Sequence, residues 1–232
     1  MGMGKKLILF DIDGTLILTG GVAAKLMAEA VAEQAGMPMQ WNIHDFVGNT
    51  DRNIIYTLLN RSGMQEAIIE ETTNRSIENY LKKLEQELKK DEVVTILPGV
   101  KQLLAVLKND SRFALGLLTG NVLSGAQLKL AKEDLFSYFP IGAFGDDALK
   151  REELPSFAIQ RAEKYYGHFF DKKDIWIVGD SVNDIKCAQV NHLKSLAVAS
   201  GHVKEDELAE YHPSVLVKNL KETENIIQIL LT

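Results

Sequence analysis

The stretch Leu7-Ile8-Leu9-Phe10-Asp11-Ile12-Asp13-Gly14-Thr15-Leu16 decides how the chain is read. Four consecutive apolar residues have the length and composition of a strand buried on both faces, as in a parallel sheet. Two carboxylates follow, two positions apart and ahead of a glycine turn. Negative charge gathered at a strand end is costly unless a cation accompanies it. On these residues alone, a turn with a capping aspartate fits as well as a metal site. The other strand ends must decide between them.

Short apolar runs recur at residues 114–118, 141–144, 175–178, 196–199 and 215–217. Between most of them lie segments with apolar residues at three- and four-residue steps: LPGVKQLLAVLKND from 97, SGAQLKLAKEDLF from 124, LPSFAIQRAEKYYG from 154, VNDIKCAQVN from 182 and KEDELAEYH from 204. This alternation predicts an α/β fold with a doubly wound, Rossmann-like parallel sheet, whose functional groups follow the carboxyl ends of the strands. Thr119-Gly120-Asn121 follows the second run and offers a hydroxyl and an unobstructed N–H to an anion near a helix start. Gly179-Asp180-Ser181, with Asn183 and Asp184, follows the fourth. Three strand ends thus bring carboxylates and phosphate-type donors to one place.

The alternation stops between residues 19 and 94, where the chain reads as helices broken at GMPMQ, VGNTD and NRSGM. Residues 65–92 form a long amphipathic pattern in which Ile68, Ile69, Ile77, Leu81, Leu84 and Leu88 make the apolar face. The charge run KKLEQELKKDE is then its solvated face. The predicted organisation is a core of residues 1–18 and 95–232 with an inserted α-helical cap domain at 19–94. Gly20, Gly21, Pro98 and Gly99 stand at the two crossings as hinges.

With 232 residues, 46% hydrophobic and 25% charged, the chain has a globular composition that excludes disordered and fibrous classes. Its net charge of -6 gives no general attraction to polyanions, so nucleic acid and anionic membrane are not expected partners. A phosphate ligand would need local cations. The single cysteine, Cys187, permits no internal disulfide, which suits a reducing compartment; its helical setting suits a buried apolar role. The run LILF is too short for a signal peptide or a membrane span. A cytoplasmic monomer or weak homodimer is the expectation.

DIDGTL, LLTGN and VGDSVND resemble the first, second and fourth motifs of the haloacid dehalogenase superfamily, in order and each after a strand. The insert falls where many members carry a helical cap. The third motif departs from the pattern: Lys150-Arg151-Glu152-Glu153-Leu154-Pro155 stands where relatives carry a KPxP-like lysine. Counting back from Phe157 puts Arg151 on that lysine, with Lys150 as the alternative. Arginine grips with a planar fork where lysine acts as a point charge.

The resemblance implies a mechanism. Asp11 attacks phosphorus, and Asp13 protonates the leaving oxygen and later activates water. Mg2+ is held by Asp11, the Asp13 carbonyl and Asp180, with Asp184 acting directly or through water. Thr119, the N–H groups of Gly120 and Asn121, and Arg151 hold the phosphoryl oxygens. In the cap loop Phe46-Val47-Gly48-Asn49-Thr50-Asp51-Arg52-Asn53, Asn49 and Arg52 can reach a second group on the substrate. An ordinary helix start capped by Thr50 or Asp51 explains the same residues. The five histidines show no metal-ligand spacing, and Trp176 reads as core. Asp13 argues against a dehalogenase, because departing halide needs no proton.

The phosphoglycolate phosphatase-like branch is the nearest resemblance. It implies a magnesium-dependent phosphatase of a small phosphorylated metabolite. A sugar-phosphate mutase of the phosphoglucomutase-like branch and a non-catalytic metal-binding regulatory protein are the alternatives.

Overall fold

The computed structural model describes residues 5–90 and 93–232. The first four residues of the expected core and the last two of the amphipathic stretch lie outside the described residues. The strands are β1 (Lys6–Phe10), β2 (Ile17–Leu18), β3 (Thr95–Ile96), β4 (Phe113–Leu118), β5 (Ile141–Ala143), β6 (Ile175–Gly179), β7 (Lys194–Val198) and β8 (Val215–Val217). Six of them form one parallel sheet in the order β5-β4-β1-β6-β7-β8. All six apolar runs read from the sequence are in it. The chain winds from β1 outward through β4 and β5, then returns to β6 and winds the other way. The crevice of such a sheet opens where the winding reverses, above the carboxyl end of β1.

Strand β1 explains why the sheet is covered on both sides. Successive side chains point to opposite faces, and Ile8 and Phe10 enter one core cluster while Leu7 and Leu9 enter another. The first face is covered by α4 (Val100–Asn109), α5 (Leu123–Ala131) and α9 (Thr223–Leu231), through Leu103, Leu104, Ala126, Leu130, Ile226 and Leu230. The second is covered by α6 (Leu154–Tyr166) and α7 (Val182–Asn191), through Leu154, Ala158, Ala162, Cys187 and Ala188. A short helix, α8 (Glu205–Glu210), adds Leu208 to a satellite cluster with Ile185 and Ala197.

Between β2 and β3 the chain forms α1 (Val22–Ala35), α2 (Asp51–Arg61) and α3 (Glu66–Leu88), which share their own core of Met27, Val31, Ile55, Leu58, Leu59 and Leu84. Each large apolar side chain buried there contributes about 1.5–3 kcal/mol. The inward face of α3 keeps five of the six residues read in the sequence, with Ile69 and Leu84 buried and Ile77, Leu81 and Leu88 packed partly buried on either side of one buried line. That line runs Ile69, Thr73, Ser76, Tyr80, Leu84, while Ile68 is 46% exposed. These positions follow three- and four-residue steps, and Ile68 lies one residue, about 100°, off the line. Thr73 and Ser76 on that line hid it from a purely apolar pattern.

Strands β2 and β3 pair antiparallel, Ile17 with Ile96 and Leu18 with Thr95, where the chain leaves and re-enters the sheet unit. Two residues per strand are too few to show a period in sequence. No helix among the described residues is long and apolar enough to cross a membrane.

Candidate active site

Asp11 directly follows β1, and its N–H donates to Val178 O on β6 at 2.9 Å, so the carboxylate starts from the middle of the sheet. The turn after it depends on Gly14, whose φ of 82° is left-handed and favours glycine. A Cβ there would also come within 2.2 Å of Asp180 Oδ2. Asp180 itself follows β6. Ser181 then starts α7 through a capping box with Asp184: Ser181 Oγ accepts from Asp184 N–H at 3.2 Å, and Asp184 Oδ2 accepts from Ser181 N–H at 3.1 Å.

Asp11, Asp180 and Asp184 are buried, with carboxylate oxygens within 4.8 Å of one another. Arg151 reaches them from the helical turn before α6. Its Nη2 lies 3.2 Å from Asp11 Oδ2, donates to Asp184 Oδ1, and is 3.4 Å from Leu118 O. Its Nε is buried with no hydrogen-bond partner, a costly state for a donor unless a ligand supplies the acceptor. Lys150 is exposed and does not line the cavity, so the structure brings Arg151 and not Lys150 to the carboxylates. Burial pushes the Asp11 pKa up to about 6, against the pull of Arg151. Burial, then Asp184 and Asp11, hold Asp180 well above the ordinary carboxylate range; Thr15 Oγ1 donates to its Oδ1 at 3.2 Å.

Asp13 has a different environment. Its side chain is 39% exposed to the cavity, and its Oδ2 accepts from Lys129 Nζ at 2.7 Å and Asn121 Nδ2 at 2.8 Å. Lys129 Nζ also donates to Asn121 Oδ1 at 2.6 Å, and Asn121 Nδ2 to Thr119 Oγ1 at 2.8 Å. The Asn121 side chain is therefore engaged in bracing Asp13, and its backbone N–H, the group expected on the phosphoryl oxygens, donates to Thr119 Oγ1 at 3.3 Å. Thr119 is fully buried behind it and does not line the cavity. Lys129, only 4% exposed, was not singled out in the sequence. Burial disfavours its charge, yet Asp13, then Tyr80 and Asp51, drive its pKa up. The available signal was positional: with Gly125, Ala126 and Leu130, Lys129 occupies the inward stripe of α5.

The insert closes onto these strand ends. Asp51 N–H donates to Gly120 O at 2.8 Å, Thr50 Oγ1 to Leu149 O at 2.6 Å, and Asn183 Nδ2 to Val47 O at 3.2 Å. A Cβ on Gly120 would lie 1.9 Å from Asn49 O, so this glycine is required by the approach of the insert itself. Thr50 caps α2, accepting from Asn53 N–H at 3.2 Å. Asp51 is buried, and its Oδ2 accepts from Val122 N–H at 2.9 Å, so a residue of the insert caps α5 of the core. Burial pushes its pKa up to about 7, with Lys129 opposing.

Asn49 lines the cavity, but its side chain is tied to Asp45 O and Asn53. Arg52 does not line it. Its guanidinium bonds Glu70 at 2.5 Å and Asn74 at 3.1 Å, because the inward stripe of α2 runs through Asp51, Ile54, Ile55 and Leu58. The cavity that Asp11, Asp13 and Asn49 line is about 190 Å3.

A family model described as a haloacid dehalogenase-like hydrolase matches residues 8–198. The chain belongs to the haloacid dehalogenase-like hydrolases. A phosphoglycolate phosphatase of Nitrosospira multiformis is 24% identical over 226 residues, covering 96% of each chain. A phosphoglycolate phosphatase of Yersinia pseudotuberculosis is 24% identical over 214 residues, covering 90% of this chain and 88% of its own. Among solved structures, a hydrolase from Pseudomonas syringae superimposes with a TM-score of 0.72 at 19% identity, covering 97% of this chain and 99% of its own. A haloacid dehalogenase-like family protein from Streptococcus pneumoniae gives 0.70 at 19% identity, with the same coverage. These two share the fold.

Haloacid dehalogenase-like hydrolases generally use a divalent metal, and the residues of this member fit one. The buried group of Asp11, Asp180 and Asp184 offers only hard oxygen donors. Three carboxylates against the single charge of Arg151 leave an excess of two negative charges, which a divalent cation would balance. Asp184 is the least available of the three, since one oxygen is held by Ser181 and the other by Arg151.

Proposed function

We propose that this hydrolase is a magnesium-dependent phosphatase that cleaves a small phosphomonoester through an aspartyl-phosphate on Asp11. The observation that carries this reading is the asymmetry of the two aspartates. Asp11 is buried among carboxylates and Arg151, whereas Asp13 faces the cavity with one oxygen clamped by Lys129 and Asn121. One environment suits a nucleophile beside a cation. The other suits a proton carrier.

In this mechanism Asp11 attacks phosphorus and the bond to the leaving oxygen breaks. Asp13 gives that oxygen its proton. Because Oδ2 is occupied by two donors, Oδ1 is the oxygen left to carry the proton. Water then attacks the aspartyl-phosphate, losing its proton to Asp13, and releases phosphate with Asp11 restored. Proton transfer of this kind is worth about 10²–10⁴ in rate. Lys129 and Asn121 are positioning residues for it.

Arg151, with an unpartnered Nε, and the Gly120 N–H hold the phosphoryl oxygens, and the buried Thr119 hydroxyl positions Asn121 behind them. Asp11, Asp180 and the Asp13 carbonyl would hold Mg2+, with Asp184 beside them fixing Arg151. Bound there, the ion supplies neutralisation of the charge that keeps an anionic nucleophile from an anionic phosphate.

The reading includes residues 1–18 and 95–232 as catalytic core and 19–94 as cap. It also includes a cytoplasmic setting, supported by the single buried thiol of Cys187. The test is phosphate release from a panel of phosphorylated acids, sugars and alkyl alcohols. Release should require magnesium, stop with EDTA and return when magnesium is restored. Turnover that persists after exhaustive chelation would remove the metal from the mechanism. An isomerised sugar phosphate without free phosphate would replace hydrolysis by a mutase reaction.

A further inference from the structure

We infer that the alcohol released from the substrate is small, uncharged and largely apolar, so that the enzyme selects against phosphate esters bearing a second anion. This rests on the phosphatase reading of the same site and names the class of substrate within it.

The argument starts from where positive charge is available. Among the described residues, two strongly basic side chains line the cavity, Arg151 and Lys129. Both are buried and both are already bound to carboxylates, Arg151 to Asp11 and Asp184, Lys129 to Asp13. Three of the insert's own cations that could have served are paired away from the cavity: Arg52 with Glu70, Arg61 with Asp45, and Lys83 with Glu33. His202 lines the cavity from an exposed position.

The wall that the insert presents instead is apolar, with Ala24, Met27, Ile43, Phe46 and Ile54 facing the space beside Asp13. The acidic residue that the insert contributes is Asp51, which offers an incoming carboxylate no countercharge. A second anion on the substrate would therefore leave water for a wall on which the described residues place no unpaired lysine or arginine, and burying an unpaired carboxylate is heavily unfavourable. An alkyl group would gain from the same wall, since it sheds water against apolar side chains. Size adds a limit. A space of about 190 Å3, part of it taken by the phosphoryl group, is below the roughly 300–1,000 Å3 usual for ligand pockets.

The test compares isobutyl phosphate with 2-phosphoglycolate, whose leaving alcohols have the same branched heavy-atom skeleton and differ in the terminal carboxylate. With magnesium-loaded protein, kcat/KM for isobutyl phosphate should exceed that for 2-phosphoglycolate by about 10²-fold, the scale on which mismatched polar groups are rejected. Glycolate is the better leaving group, so intrinsic reactivity works against this result.

A cation placed on the wall should reverse part of the preference. Ala24→Lys should raise the phosphoglycolate to isobutyl ratio at least tenfold, while Ala24→Met, of similar bulk, should leave it unchanged. Equal or faster cleavage of phosphoglycolate overturns the inference and leaves the phosphatase reading standing. So does intact isobutyl phosphate in a protein that cleaves p-nitrophenyl phosphate. An unchanged ratio in a folded Ala24→Lys protein overturns the role given to the wall. No release from any of the three esters removes the phosphatase reading and the inference with it.

Discussion

The floor and the wall of the cavity that holds Asp11 and Asp13 are built on opposite plans. The floor is made of strand ends: Asp11 after β1, Asp180 after β6 and Arg151 ahead of α6 carry opposed charges that meet in a buried group. The wall is made of helical stripes, on which Met27 of α1, Ile54 of α2 and Tyr80 of α3 are neighbours although 26 or more residues separate them. A parallel sheet fixes the floor to within a side chain, because every strand terminates at the same edge. The wall is set only by how three helices pack. Chemistry common to a family suits the first plan, and selectivity particular to one member suits the second. Lys129 stands between them, reaching Asp13 on the floor from a helix that packs against the insert.

The largest expected effect is on the floor. Arg151→Ala should lower kcat/KM by about 10²-fold or more for every substrate, on the scale of losing one transition-state donor. Arg151→Lys should recover part of it, since the charge returns without the fork. Lys150→Ala should stay within about twofold. Kinetics on three substrates check this, and a damaging Lys150→Ala beside a silent Arg151→Ala would move the cation one position back.

A smaller effect is expected at the boundary. Lys129→Met keeps the buried stem but leaves Asp13 Oδ2 to Asn121 alone of its two donors, so Asp13 is held less firmly. Loss of kcat should reach about 10-fold or more for alkyl phosphates, whose leaving oxygen needs its proton, and should nearly vanish for p-nitrophenyl phosphate. Equal losses for both would make Lys129 a structural residue only.

The smallest effect concerns the seam between wall and floor. The pKa of Asp51 is pushed up to about 7 by burial, whereas in the unfolded chain it titrates near 4. Between those values the folded state binds the extra proton, so this residue makes stability fall as pH rises. Asp51→Asn removes that loss. Urea unfolding of the metal-free proteins should find the variant gaining on wild type between pH 5 and pH 8, and a difference independent of pH would mean that Asp51 does not titrate in place.

The same two plans explain what was legible in the sequence. Asp11, Asp13, Asp180 and Asp184 could be picked out because each lies within a few residues of an apolar run that ends at the sheet edge. Arg151 could be separated from Lys150 only by counting back from Phe157, because two adjacent cations look alike until the backbone aims them. Lys129 lies in the helical pattern SGAQLKLAKEDLF with no motif around it, and only its place on the inward stripe marks it. Tyr80 was hidden by Thr73 and Ser76 on the same buried stripe of α3. Arg52 looked like a substrate ligand because it follows the cap loop, yet one helical position turned it outward to Glu70. Helix α9 closes one face of the sheet through Ile226 and Leu230, and it was not among the helical segments read in the sequence.

The central claim is that Asp11, held between Arg151 and the other carboxylates, is the atom donor to phosphorus. Acid-quenching the magnesium-loaded protein with a reactive phosphomonoester during turnover, followed by peptide mass spectrometry, tests it directly. One phosphoryl group on Asp11, absent from Asp11→Asn, is the predicted result. Turnover with an unmodified Asp11, or with Asp11→Asn within tenfold of wild type, would contradict it.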